Sequence, residues 1–220
     1  MTSFRARNQL TSWWARRWLE SLSLLAPRRS GSNDWYSTWR APNPREDGFT
    51  LARTGSVFDA TLVGTMARAR VVERRYHNAP EANCSITLTA FDDTTWAQLV
   101  AALGARSQVE AALLSGELPL QVESLVATAR VSLFPRQASE LTTSCDGRYC
   151  EKPLCQHVAA LHYVLGDMLE RDPFVLFELR GRPRARLLAE LRAHRRGGVA
   201  APSGAGVPLS SLLDVGYDTG

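Results

Sequence analysis

The sequence predicts an α+β fold made of an N-terminal helix, a small antiparallel sheet with accompanying helices, and a C-terminal helical module. Three observations support this prediction. Tryptophans and leucines recur at helical spacing near the N-terminus, three short segments have strand patterns, and a cysteine-rich stretch precedes a long amphipathic pattern. The 220 residues, 45% of them hydrophobic, suffice for one sizeable core and a small appended module.

The first predicted element is a helix that begins at Thr11 or Ser12, either of which can cap it, and ends near Ala26. Its apolar residues fall at helical spacing, and they are Trp14, Trp18, Leu22 and Leu25. Residues 27–48 are rich in Arg, Ser, Asn and Pro, so they are predicted to form a connecting loop.

Three strands are predicted next, near residues 49–63, 67–76 and 84–91, with turn residues between them. Short consecutive strands joined by turns favour an antiparallel meander. Cys84 is interpreted as a small buried residue of the third strand.

Helices and two extended pieces connect this sheet to the cysteine-rich stretch. Asp92 or Asp93 can cap a helix, and further helical segments are predicted over residues 107–114 and 119–128. Residues 131–134 and 140–143 have extended patterns that lead into the cysteines.

The C-terminal third is predicted to be helical. One apolar stripe follows the cysteines, and its members are Val158, Leu161, Leu165 and Met168. Asp172 and Pro173 begin the next helix, Gly181 ends it, and Pro183 begins a basic helix. The predicted organisation is an α+β region over residues 1–130, a module over 131–182, the basic helix over 183–196 and a disordered tail over 197–220.

Four residues that can bind a metal lie within thirteen positions: Cys145, Cys150, Cys155 and His157. Thiolate sulfur and neutral imidazole are ligand types that zinc prefers, and four of them complete a tetrahedral shell with no position left for substrate. The stretch therefore predicts a structural Zn²⁺ site, and metal removal should unfold the zinc-stabilised helical module.

A rival ligand set replaces Cys145 with His162, which stands five residues after His157. Five residues along a helix turn a side chain by roughly 140°, which favours the Cys145 set and a place for His162 beside the core. A Cys145–Cys150 disulfide is the alternative without metal, and a reducing compartment disfavours it.

The stretch over residues 144–182 resembles the SWIM zinc finger family of bacteria. Its Cys-x-His-x-Ala-Ala entry begins at Cys155, and its Arg-Asp-Pro-Phe-x-Leu-Phe-x-Leu-Arg-Gly-Arg exit ends at Arg182. The segment from Trp13 to Glu20 is similar to the start of longer bacterial members. The family opens with Cys-x-Cys, whereas four residues separate the first two cysteines here. The resemblance implies a SWIM-type domain for DNA binding and protein–protein contact, with a Swi/Snf-type helicase as a possible partner.

Positive charge is carried almost entirely by arginine, since Lys152 is the sole lysine among 26 basic residues. Residues 1–40 contain seven arginines and two acidic residues, and residues 171–196 contain eight and three. If these segments meet, they form a surface that can contact DNA phosphate through Arg180, Arg182, Arg184 and Arg186. The alternative is two solvated helix faces.

Two further hypotheses do not require DNA. Aromatic side chains at Trp35, Tyr36 and Trp39 could dock a protein partner, although such rings more often pack onto the domain itself. The zinc thiolates could instead act as a redox sensor that releases its ion on oxidation.

Several function classes are excluded by missing motifs. The chain contains no Gly-Lys-Ser/Thr loop, no His-Glu-x-x-His and no Gly-x-Ser-x-Gly, so no enzyme activity and no small-molecule substrate are predicted. No stretch approaches the ~20 apolar residues that span a bilayer, and no secretory leader is recognised. A cytoplasmic location without membrane contact is therefore expected.

Overall fold

One antiparallel sheet organises residues 2–6, 9–26, 43–73, 80–148, 150 and 153–198, the part of the chain that the computed structural model describes. Each strand pairs with the next along the chain. The strands are β1 (Ser3–Phe4), β2 (Val57–Val63), β3 (Met66–Val72), β4 (Glu81–Leu88) and β5 (Leu141–Cys145). The α+β class and the antiparallel meander are confirmed, and β5 extends the meander across a helical insertion.

Alternation along the strands gives the sheet one buried face. On β3 the buried positions are Ala67, Ala69 and Val71, and Cys84 and Ile86 continue the pattern on β4. Successive side chains of a strand point to opposite faces, so these residues share the inward face. Small alanines there let a helix approach the strands closely.

α-Helices precede, connect and follow the strands, and one long helix lies at the centre of the fold. They are α1 (Trp13–Glu20), α2 (Leu22–Leu25), α3 (Pro44–Arg53), α4 (Asp93–Gly104), α5 (Ser107–Leu114), α6 (Gln121–Thr128), α7 (Gln156–Arg171), α8 (Phe174–Leu179) and α9 (Arg184–Gly198). Most residues of α7 are buried, because the sheet, α1 and α3 all pack on it. The predicted stripe is therefore too narrow, since α7 buries nearly its whole circumference.

The N-terminal helix prediction is confirmed in position and cap. The Ser12 hydroxyl accepts a hydrogen bond from the Ala15 amide, and Ser21 separates α1 from α2 within the predicted span. Trp18 of α1 and Leu22 and Leu25 of α2 are buried.

Helix α3 corrects two predictions, the loop over residues 27–48 and the strand over 49–63. Asn43 caps α3, Pro44 occupies its first turn, and the strand begins only at Val57. A Cβ atom on Gly48 would lie 2.5 Å from the Ala159 Cβ, so the glycine permits close packing of α3 on α7. Residues 27–42 of the predicted loop lie outside the described residues.

The predicted helices between the sheet and the cysteines are confirmed as α4, α5 and α6. The Asp92 carboxylate accepts from the Thr95 amide at 2.7 Å, as capping requires. Residues 131–134 were predicted to be extended, but they belong to no strand of the sheet. Leu133 and Phe134 are instead buried in the core.

The C-terminal boundaries also follow the sequence signals. The Phe174 amide donates to Asp172 at 2.9 Å, and Gly181 adopts the left-handed φ of 93° that ends α8. Gly197 and Gly198, predicted as the start of the tail, belong to α9, and residues 199–220 lie outside the described residues. No helix in the described part combines the length and apolarity needed to cross a bilayer.

A continuous hydrophobic core crosses the boundary predicted at residue 130. It includes Trp18 and Trp96 from the first predicted region, Leu165 from the cysteine-containing module and Leu191 from α9. The module's central helix therefore completes the core of the N-terminal region.

Candidate metal centre

The four predicted ligands lie where the sheet meets the start of α7. Cys145 ends β5, Cys150 follows in the loop, Cys155 is the N-cap of α7 and His157 lies in its first turn. Cys145 is fixed because β5 pairs with β4, where Cys84 is its register partner. Sheet and helix thus each supply part of one site.

The ligand atoms of these residues all lie within 4.8 Å of one another. The Nδ1 atom of His157 is 3.3 Å from the Cys150 sulfur and 3.5 Å from the Cys145 sulfur. Zinc bonds of about 2.0–2.3 Å in a tetrahedron place neighbouring ligand atoms about 3.5 Å apart. The donor set and its spacing therefore fit one Zn²⁺ ion.

Local contacts hold the loop that carries Cys150. Asp146 accepts from the Asn83 backbone amide at 2.6 Å and from its side-chain amide at 2.8 Å. Gly147 lies against the imidazole, since a Cβ atom there would be 2.9 Å from both Cε1 and Nδ1 of His157. The loop has this path because residue 147 has no side chain.

Charge in the site is concentrated on one sulfur. The Cys145 thiol donates to Cys155, and the Val158 amide at the start of α7 also donates to it, which lowers the pKa of Cys155 to about 4. Burial and the neighbouring Cys155 charge raise the pKa of Cys150 to about 11, and the pKa of Cys145 is raised as well. A dication bound here would therefore displace protons from these two thiols.

Glu73 was missed by the sequence analysis. Its Oε1 atom lies 2.7 Å from Nε2 of His157, on the side of the ring opposite the cysteines. Burial lowers the pKa of His157, but hydrogen bonds to Cys155 and Glu73 outweigh it, and the net direction is upward. The sequence signal that could have found Glu73 is its position in the strand pattern, because it continues the inward-facing series of β3.

The rival ligand His162 lies outside this group. Its ring is fully buried, stacks on Trp18 with 4.6 Å between centroids, and places Nε2 3.1 Å from the Ser21 hydroxyl. Burial lowers the pKa of His162 to about 3. The structure thus brings the Cys145 set together and leaves His162 in the core.

All four cysteines are free thiols, so the alternative Cys145–Cys150 disulfide is not formed. Cys84 is buried, as the strand pattern predicts. Burial raises the pKa of its thiol to about 12, which keeps it protonated.

Burial removes Arg180 from the predicted phosphate-contacting set. The residue is 1% exposed, and its guanidinium donates to the carbonyls of Leu133, Thr89 and Ser132 and to the Glu140 carboxylate. These contacts bind the end of α8 to three other parts of the fold. Arg180 therefore has a structural role.

Arg182 is removed from that set for the same reason. It is 2% exposed, pairs with Glu190 at 2.9 Å and Asp93 at 3.1 Å, and lies over the Trp96 ring. A desolvated arginine that already binds two carboxylates cannot present its charge to DNA.

The remaining arginines of the set are exposed but paired. Arg184 lies 3.6 Å from Asp172, and Arg186 contacts Glu190 at 3.0 Å and Asp93 at 3.5 Å. Further along α9, the exposed arginines are Arg192, Arg195 and Arg196. The aromatic set Trp35, Tyr36 and Trp39 lies outside the described residues.

Comparisons with known proteins find a mycobacterial relative that aligns with nearly all of this chain. The chain is 31% identical over 211 residues to the uncharacterized protein Rv2102 of Mycobacterium tuberculosis, an alignment that covers 94% of this chain and 69% of the relative. No protein-family model and no solved structure matches the chain. Because the alignment covers nearly all of this chain and more than two thirds of the relative, the chain belongs to the family of the mycobacterial protein Rv2102.

Proposed function

We propose that the protein is a non-catalytic zinc protein in which Cys145, Cys150, Cys155 and His157 hold one structural ion. The observation that carries this proposal is the convergence of three thiols and one imidazole nitrogen within 4.8 Å. When bound, zinc would supply a crosslink between the end of β5 and the first turn of α7. Four protein ligands fill a tetrahedral shell, which leaves no position for a substrate.

Metal analysis with ligand variants tests this proposal. Elemental analysis of the purified, reduced, untagged protein should find about one zinc per chain, as expected for one four-ligand site. Cys84→Ala is the matched control, because it removes a buried thiol outside the group and should retain the ion. Retention of a full equivalent by the ligand variants would overturn the assignment, and loss in His162→Ala would favour the rival set. The ligand variants are Cys145→Ser, Cys150→Ser, Cys155→Ser and His157→Ala.

The proposed role of this zinc protein is to bind nucleic acid through α9 or to serve as an adaptor, as resemblance to the SWIM zinc fingers implies. A Swi/Snf-type helicase is the partner suggested by the same resemblance. Exposed arginines of α9 support a phosphate contact, and they divide into two sets. Arg184 and Arg186 have carboxylate partners, whereas Arg192, Arg195 and Arg196 have no ion pair within the described residues.

Helix α4 packs against α9 and brings one more arginine near its C-terminal part. A Cβ atom on Gly104, at the end of α4, would lie 2.7 Å from the His194 ring. The exposed Arg106 follows two residues later, so α4 brings it to the same end of α9. Arg106, Arg192, Arg195 and Arg196 form the cationic end, and since none of them has an ion pair among the described residues, their charge favours phosphate.

A salt titration of DNA binding tests the α9 proposal. The affinity of the protein for labelled single- and double-stranded DNA should fall as salt rises. The logarithm of the binding constant should fall with the logarithm of the salt concentration by about 0.7–0.9 per neutralised phosphate. Gln substitution of Arg192, Arg195 and Arg196 together should reduce affinity and slope, while the control Arg53→Gln with Arg68→Gln, two exposed arginines outside α9, should not. An unchanged slope in the triple variant would refute the contact and leave the adaptor role.

A further inference from the structure

Glu73 lies at an unusual place for a carboxylate. It directly follows β3, and its amide donates to the Pro80 carbonyl at 3.1 Å, so its backbone continues the pairing with β4. The buried positions of β3 are 67, 69 and 71, and alternation puts residue 73 on the same inward face. An apolar residue is expected there, yet the position carries an acidic side chain that is only 18% exposed.

The carboxylate has a specific partner. Its Oε1 atom lies 2.7 Å from Nε2 of His157, whose side chain is 4% exposed. Carboxylate oxygens accept hydrogen bonds, so this contact favours the ring that carries its proton on Nε2. In the neutral ring the other nitrogen, Nδ1, then has a free lone pair directed at the sulfurs of Cys145 and Cys150. This is the tautomer that a metal requires.

Electrostatics argue that Glu73 is not an incidental neighbour. Three thiolates, one imidazole and Zn²⁺ carry a net charge of about minus one, so a nearby carboxylate adds repulsion. A short hydrogen bond to a buried imidazole offsets that repulsion and strengthens the ring nitrogen as a ligand. A neutral side chain would fill the space without the repulsion, but it would accept a weaker hydrogen bond and strengthen the ring nitrogen less.

We infer that Glu73 is a positioning residue of the zinc site, which fixes the ring orientation and tautomer of His157 from the far side of the imidazole. The inference rests on the proposed zinc function. It assigns a metal-site role to a residue 84 positions away from its partner in sequence.

Zinc affinity measured by competition with a chromophoric chelator tests this inference. Loss of such an outer partner weakens metal binding by about 10–100-fold, so Glu73→Ala should fall in that range and Glu73→Gln between it and wild type. Glu81→Gln is the matched control, because Glu81 lies at the same end of the sheet, pairs with Arg70 and is 53% exposed. This control should bind zinc as wild type does.

A second measurement separates positioning from general stabilisation. Co²⁺ absorption bands report ligand geometry, and they should shift in both Glu73 variants. A purely structural role would lower the melting temperature but leave zinc affinity and the Co²⁺ bands unchanged, and that result would overturn the inference. Failure of wild type to bind zinc would instead reject the proposed function. If Glu73→Ala does not fold, the near-isosteric Glu73→Gln still decides the question.

Discussion

His162→Phe should make the protein less sensitive to acid. The ring of His162 is fully buried, stacks on Trp18 and contacts the Ser21 hydroxyl through Nε2. Its Nδ1 atom has no hydrogen-bond partner among the described residues. Protonation there would create a buried charge without an acceptor, whereas phenylalanine keeps the stacking and cannot titrate.

The magnitude follows from the pKa difference between folded and unfolded chains. Burial lowers the pKa of His162 from 6.5 to about 3, so between these values the unfolded chain binds a proton that the folded chain does not. Stability therefore falls as pH falls below 6.5, and the loss stops near 3. Each pKa unit is worth about 1.4 kcal/mol, which gives a loss of about 2 kcal/mol by about pH 5.

Urea unfolding of wild type and His162→Phe at several pH values, with equal total zinc, measures this loss. Other titrating groups are common to both proteins and cancel in the difference between their unfolding free energies. That difference should shift in favour of the variant by about 2 kcal/mol between neutral pH and about pH 5. Parallel stability curves would refute the assignment of His162 as a buried neutral imidazole.

Three further outcomes are expected. Arg180→Met should lower the free energy of unfolding in urea by about 3–5 kcal/mol, because it leaves Glu140 without its buried partner. Adding Glu140→Gln should restore part of that stability, and additive effects of the two substitutions would contradict the prediction. Gly147→Ala should weaken zinc binding in the chelator assay, since its Cβ atom would displace the His157 ring; wild-type affinity would contradict it. The pKa of Glu170 is lowered to about 2, because hydrogen bonds from Ser12 and Thr11 outweigh burial, so its stabilisation is present above 4.5 and lost as pH falls towards 2. Glu170→Gln should remove that acid dependence, and an unchanged acid-unfolding profile would argue against the contact.

Local signals in the sequence predicted most elements because they act within a few residues. Asp92 caps α4 and Gly181 ends α8 through contacts that their own neighbours make. The four zinc ligands were also recognisable, since they lie within thirteen residues. Helix α3 shows the limit. Its cap and Pro44 were present, but Gly48 weakens a helical pattern, and the reason for a glycine is its contact with α7.

Long-range partners account for the predictions that were wrong or incomplete. Arg180 belongs to a basic run, yet its acceptors lie 47 and 91 residues away, and nothing near it in sequence indicates its burial. Glu73 is likewise separated from His157 by 84 residues. Charge counting along the chain treats each arginine as equally available. Only the packing divides them into buried structural arginines and the exposed ones on α9.

Metal removal should affect the edge of the fold more than its centre. Strand β5 is a five-residue edge strand, and beyond its pairing with β4 the loop is held by a few contacts such as Thr143 to the Pro153 carbonyl. The middle of α7, by contrast, is buried by the sheet and α3, and this packing does not involve the ion. Chelation should therefore raise amide hydrogen exchange over residues 141–157, while residues 161–169 stay protected. Simultaneous loss of protection in both segments would show that zinc holds the whole core together, as the sequence alone predicts for its module.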